Sequence, residues 1–137
     1  MNYMTDITKA LNNALIQFGE DNAIEVGLNL IDFPTDLTKP FLNGRKVPTS
    51  TGVADLGFTD IREGFYQIDI NYEKGLGDIP LSKMADLLNT AFYAGASFSF
   101  GSVCVNIKSV EDGPVIRQDA WATMPLTITF DAYTARI

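Results

Sequence analysis

The sequence predicts an α+β domain, an antiparallel or mixed β-sheet covered by two α-helices. Three observations point there. Apolar residues recur at spacings of three and four in only two segments, one near the N-terminus and one after residue 80. Elsewhere apolar and polar residues alternate, as they do over 66–73, 97–107 and 124–132. The later strands are joined by tight reversals rather than helical crossovers, which favours antiparallel pairing. With 137 residues, 46% of them apolar, the chain reads as a single domain over 1–137 with enough mass for one core.

The first helix is expected over about 6–18. Thr5 is placed to cap it and Asp6 to favour its first turn, while Ile7, Leu11, Ala14, Leu15 and Phe18 form its apolar stripe. Gly19 is its expected C-cap. Residues 24–31 begin in alternation and read as a strand. From Asp32 to about residue 62 the pattern weakens, broken by Pro34, Pro40 and Pro48. This span is expected to be a long irregular excursion with a small hairpin, Asn43-Gly44 turning between 41–42 and 45–47. Loops of this length in compact domains are often binding surfaces.

From Gly64 the alternation is strong, with Tyr66, Ile68, Ile70 and Tyr72 on one face of a strand that ends at Gly75 and Gly77. A second helix follows, carrying Leu81, Met84, Ala85, Leu88, Ala91 and Phe92 on one stripe and closed by Gly95. Residues 97–100 and 103–107 flank Gly101-Ser102, a two-residue turn with glycine first, and predict a hairpin. Asp112-Gly113-Pro114 reverses the chain again. A last long strand is expected over 115–134, at an edge or bulged where Pro125 lacks its donor.

Composition removes most chemistries. Without any histidine, imidazole-based acid–base catalysis, Ser-His and Cys-His nucleophiles and histidine-ligated zinc are excluded. The single cysteine, Cys104, can form neither an intrachain disulfide nor a thiolate cluster. It sits in an alternating strand with no adjacent cation, and a small buried or half-buried structural residue is the expectation. Asp69 and Glu73 share a strand face and with Asn71 could hold a divalent cation, but a solvated polar face explains them better. Gly75 and Gly77 precede a helix without the third glycine of a dinucleotide fingerprint or the Lys-Ser/Thr of a P-loop. No catalytic, cofactor-binding or metal-binding residue is therefore assigned. The opening residues lack the basic and apolar regions of a signal peptide, and no apolar run reaches membrane-spanning length, so an intracellular-type domain is expected.

Charge is uneven. The chain carries −7, which opposes nucleic acid as a primary ligand. Over 36–62, however, Lys39, Arg45, Lys46 and Arg62 outweigh three aspartates to give +1, leaving −8 for the rest. A mildly basic excursion on an acidic body could dock an acidic protein surface, or could simply be a solvated loop.

The order of elements in the second half carries a resemblance. Gly64 to Ile70, the Gly75/Gly77 turn, the helix Leu81 to Phe92, the hairpin Phe98 to Ile107, Arg117-Gln118-Asp119-Ala120-Trp121 and the terminal Leu126-Thr127-Ile128 strand resemble the tail terminator, or tail completion, proteins of long-tailed bacteriophages and prophages. The helix-first opening fits as well; the 32–62 excursion has no counterpart in the resemblance. It implies a structural virion protein without enzymatic turnover, forming a homo-hexameric ring that caps the tail tube and offers a surface to the head–tail connector. It places the chain in the virion tail, and in the host cytoplasm during assembly. DNA would pass through the ring without specific binding. The expected contact residues are Lys39, Arg45, Lys46 and Arg62 on the excursion, with Arg117 and Trp121 at the far end of the sheet. Another head–tail joining or tail-assembly protein, or a protein-binding adaptor module, remains the alternative.

Overall fold

A computed structural model describes residues 3–28, 40–53, 59–73, 79–101, 103–118 and 121–135. The elements run α1 (Tyr3–Asp21), β1 (Glu25–Leu28), β2 (Phe41–Val53), β3 (Thr59–Glu73), α2 (Ile79–Ala91), β4 (Ser97–Phe100), β5 (Val103–Asp112), β6 (Ile116–Gln118) and β7 (Trp121–Ala135). The strands form one mixed sheet in the order β1-β2-β3-β7-β5-β4, with β6 added along β7. Among the described strands only the β1–β2 pair is parallel.

The long β3–β7 ladder is the spine, running unbroken from Thr59↔Ala135 to Glu73↔Trp121. Alternation sends Tyr66, Ile68 and Ile70 of β3 inward together with Met124, Leu126, Ile128 and Phe130 of β7. These side chains share one apolar core with Ile7, Leu11, Leu15 and Phe18 of α1 and with Leu81, Met84 and Leu88 of α2. α2 packs on the central strands β3 and β7, whereas α1 touches β1 and β2 at one end of the sheet and β4 and β5 at the other. One helix can reach both ends only because the twisted sheet curls around it.

The predicted excursion is where sequence and structure part. Asn43 and Gly44 are not a turn. They lie inside β2, opposite Asp69 and Ile68 of β3. The predicted hairpin over 41–47 is one continuous strand, and residues 59–62 likewise belong to β3. The glycine has a packing role instead. A Cβ at Gly44 would come well inside 3.0 Å of Leu15 Cδ2 and of the Tyr66 hydroxyl. Glycine lets α1 settle directly on β2. Above that point Leu15 and Tyr66 are fully buried, and the Tyr66 hydroxyl donates to Asn12 Oδ1 at 2.7 Å. Pro48 falls where the β2–β3 register shifts between Val47 and Ser50, a bulge at which a missing N–H is tolerated.

Other boundaries move for local reasons. α1 starts at Tyr3 and runs past Gly19 to Asp21, so Thr5 and Gly19 lie inside it rather than capping it. The chain instead leaves α1 through Ala23 at φ 53°, with Asn22 Nδ2 donating to Phe18 O at 3.0 Å. The predicted final strand divides into β6 and β7, which pair with each other. Pro125 is accommodated just past the end of β5: its carbonyl accepts from Gly113 N at 2.7 Å, and its ring nitrogen faces that same side, where the ladder with β5 no longer requires a donor. The β4–β5 hairpin forms as expected, Phe100 opposite Val103 and Gly101 at φ 61°. Cys104 proves exposed rather than buried, because the inward phase of β5 is taken by Val103, Val105 and Ile107. Gly75 and Gly77 lie outside the described residues. Among the described residues no helix is long and apolar enough to cross a membrane.

Candidate functional site

The face of the sheet turned away from the core is built by the opposite phase of the same strands. β2 contributes Asn43, Arg45 and Val47, β3 contributes Phe65, Gln67, Asp69 and Asn71, and β7 contributes Thr123, Pro125, Thr127, Thr129 and Asp131. Short polar side chains here bond along and across strands. Gln67 Nε2 donates to Asp69 Oδ1 at 2.8 Å, and Thr123 Oγ1 donates to Asn71 Oδ1 at 2.6 Å. Asn71, 8% exposed, also donates to the carbonyls of Asp69 and Phe41 at 3.2 and 3.4 Å. At the other end Ser97 Oγ donates to Asn106 Oδ1 at 2.8 Å, and Lys108 Nζ lies 3.6 Å from Asp131 Oδ2. With its polar groups so paired, this face presents a preorganised, water-compatible surface.

One residue breaks the polar pattern. Phe65 is 44% exposed on this face, with Val47 directly opposite it and Arg45 two positions along β2. The alternation that buries Tyr66, Ile68 and Ile70 puts Phe65 out of phase with them. Its exposure was therefore legible in the sequence, although the residue was not singled out.

Of the expected contact residues whose side chains are described, Arg45, Lys46 and Arg62 do not share one face of the sheet. Arg45 is exposed on the outer face, but Lys46 and Arg62 belong to the inward phase, level with Tyr66 and Ala132 respectively. Burial first, and then the neighbouring Arg62 charge, hold the Lys46 ammonium below its usual value. Lys46 and Arg62 each engage partners of their own. Arg117, exposed and also engaged, lies opposite Ala122, which in turn lies opposite Tyr72. The rows of Arg62 and Tyr72 are ten residues apart on β3, roughly 33 Å at the usual strand rise. Trp121 is at that same far end, pairing through its backbone with Glu73 and Gln118. Lys39 and the Trp121 side chain lie outside the described residues.

A second surface lies on the helical side. Ala14 and Phe18 of α1, Leu87 and Ala91 of α2 and Phe98 of β4 line an apolar groove of about 440 Å³. Leu87 is 46% exposed at its edge, and Phe98 packs obliquely on Phe92 with ring centres 5.2 Å apart. Asp21, accepting from Gln17 Nε2 at 3.0 Å, forms a polar end to the groove. Neither surface gathers groups for bond chemistry. Asp69, the carboxylate considered for a cation with Glu73, is engaged by Gln67, and among the described residues no three acidic or thiol groups converge.

The sequence profile of the family described as phage tail terminator protein matches residues 6–130. The chain belongs to the phage tail terminator family. The match takes in both helices and, within β2 and the start of β3, most of the span that had no counterpart in the resemblance. Membership gives the chain a structural role in tail assembly and makes it a component of the phage tail. A solved structure known only by a sequence identifier shares the fold, at TM-score 0.75 and 19% identity over 92% of each chain. No curated protein is significantly similar in sequence.

Proposed function

We propose that this tail terminator acts as one domain over residues 1–137 in a closed homo-oligomeric ring. The ring is hexameric, caps the tail tube when it reaches full length, and presents the joining surface to the head-side connector. The observation that carries this reading is the family match across nearly the whole chain. The role requires no catalysis, cofactor or metal, in keeping with a chain that has no histidine and one cysteine. Ring contacts are heterologous, so each subunit must present two different patches. Arg45 on the outer face of β2, with Lys39, Lys46 and Arg62 nearby in sequence, supplies one. The far end carrying Arg117 and Trp121 contacts a second partner, the tube or the connector.

The charge balance suits passage of DNA. A ring whose lumen carries the acidic excess repels phosphates and lets a duplex slide through without being held. The protein assembles in the host cytoplasm and remains in the virion tail. Light scattering coupled to size exclusion tests the assembly directly. The expected result is a ring-sized species, alone or on addition of the cognate tube protein. A chain that stays monomeric and never binds the tube protein contradicts the reading.

A further inference from the structure

The helical groove and the outer-face knob lie on opposite sides of the same sheet, and each has what the other lacks. The groove has apolar walls from Ala14, Phe18, Leu87, Ala91 and Phe98 and an acidic end at Asp21. That end is electrostatically unfavourable by itself. Glu20 and Asp21 occupy the last turn of α1, which holds no basic residue, so two carboxylates sit at the negative pole of the helix. A cation brought by a partner would relieve this. The knob has an exposed aromatic ring, Phe65, beside Val47, with the exposed Arg45 guanidinium on the same face.

We propose that the groove between α1 and α2 is the socket for the Phe65 knob of a second copy of this chain. Phe65 enters between Leu87 and Phe98, and Arg45 reaches Asp21 at the end of α1. The occupant is argued from charge complementarity and from the match of an apolar projection to an apolar recess. A large aromatic side chain with an arginine beside it is the composition typical of an interface centre. Because knob and socket are different patches on opposite faces, the contact is head-to-tail and can be repeated around a ring. The proposal rests on the ring reading above and deepens it by naming the two halves of the subunit contact.

The test uses the full chain with Cys104→Ser as background, carrying Phe65→Cys together with Leu87→Cys. Both positions are already about half exposed, so each monomer keeps its core. Mild oxidation in the assembled state is expected to give a ladder of covalent oligomers on a non-reducing gel, and neither single-cysteine variant gives more than a dimer. In parallel, Arg45→Asp and Asp21→Arg are each expected to lower assembly at least tenfold in concentration, and the two together in one chain to restore it. Wild-type assembly that persists in Phe65→Asp, with no ladder in the double-cysteine chain, overturns this contact and leaves the ring standing. A wild-type chain that never assembles overturns the ring and this contact together.

Discussion

Gly44→Ala is the substitution that most sharply separates a packed strand from a surface turn. The new methyl would be driven into Leu15 and the Tyr66 hydroxyl, both in the fully buried layer between α1 and the sheet. Overpacking of a closed core costs about 1–3 kcal/mol. Displacing Tyr66 also strains its 2.7 Å bond to Asn12, worth about 1 kcal/mol net. Against this, alanine restricts the unfolded chain and returns about 0.4–1 kcal/mol. The balance is a loss of about 2 kcal/mol. With a urea dependence of about 1–3 kcal/mol per molar, the unfolding midpoint should fall by about 1 M. Tyr66→Phe removes the oxygen that the methyl meets, so the double variant should lose about 1 kcal/mol less than the sum of the singles. Asn43→Thr separates the alternatives: harmless in a strand whose outer face is polar, damaging in a turn needing a positive φ at Asn43. A Gly44→Ala protein as stable as the parent, or an Asn43→Thr protein losing as much as Gly44→Ala, would refute the account of β2.

Two further outcomes follow from the buried polar groups. Burial pushes the Tyr66 phenol well above its usual value, so above about pH 10 the unfolded chain loses that proton first, binds fewer protons, and gains relative to the fold. Stability should therefore fall as pH rises past 10, and less steeply in Tyr66→Phe. Lys46, held low by burial and Arg62, acts with the opposite sign in both proteins, so the difference between their denaturation curves isolates Tyr66; parallel curves would count against it. Asn71→Ala should cost about 1–3 kcal/mol, because it removes the partner of Thr123 and two donations to backbone carbonyls. A thermal midpoint unchanged from wild type would show that the outer-face network contributes nothing to stability.

The parts legible in the sequence were those set by local periodicity. The α1 and α2 stripes, the 66–72 alternation and the Gly101 hairpin each follow from side-chain spacing alone, and all appear in the structure. β2 was hidden for an identifiable reason. Over 41–47 its inward positions are Leu42, Gly44 and Lys46, so only one of them reads as a core residue, and Asn43-Gly44 and Pro48 look like turn and breaker. The need for glycine arises from α1, about thirty residues earlier, and no local window contains that information. The same limit applies to the contact surfaces. Counting charge over 36–62 grouped Arg45, Lys46 and Arg62, whereas strand phase sends Arg45 outward and the other two inward. Leu87 belonged by spacing to the exposed side of α2, but its meeting with Phe18 and Phe98 depends on the curl of the sheet.

The central claim is that this tail terminator closes the tube. The most direct measurement is electron microscopy of tubes grown from the cognate tail tube protein, with and without this chain present. A ring of subunits is expected at one tube end only, with growth at that end halted and tube lengths shortened as the chain is added. Tubes of unchanged length that carry no terminal density at saturating chain concentration would contradict the claim.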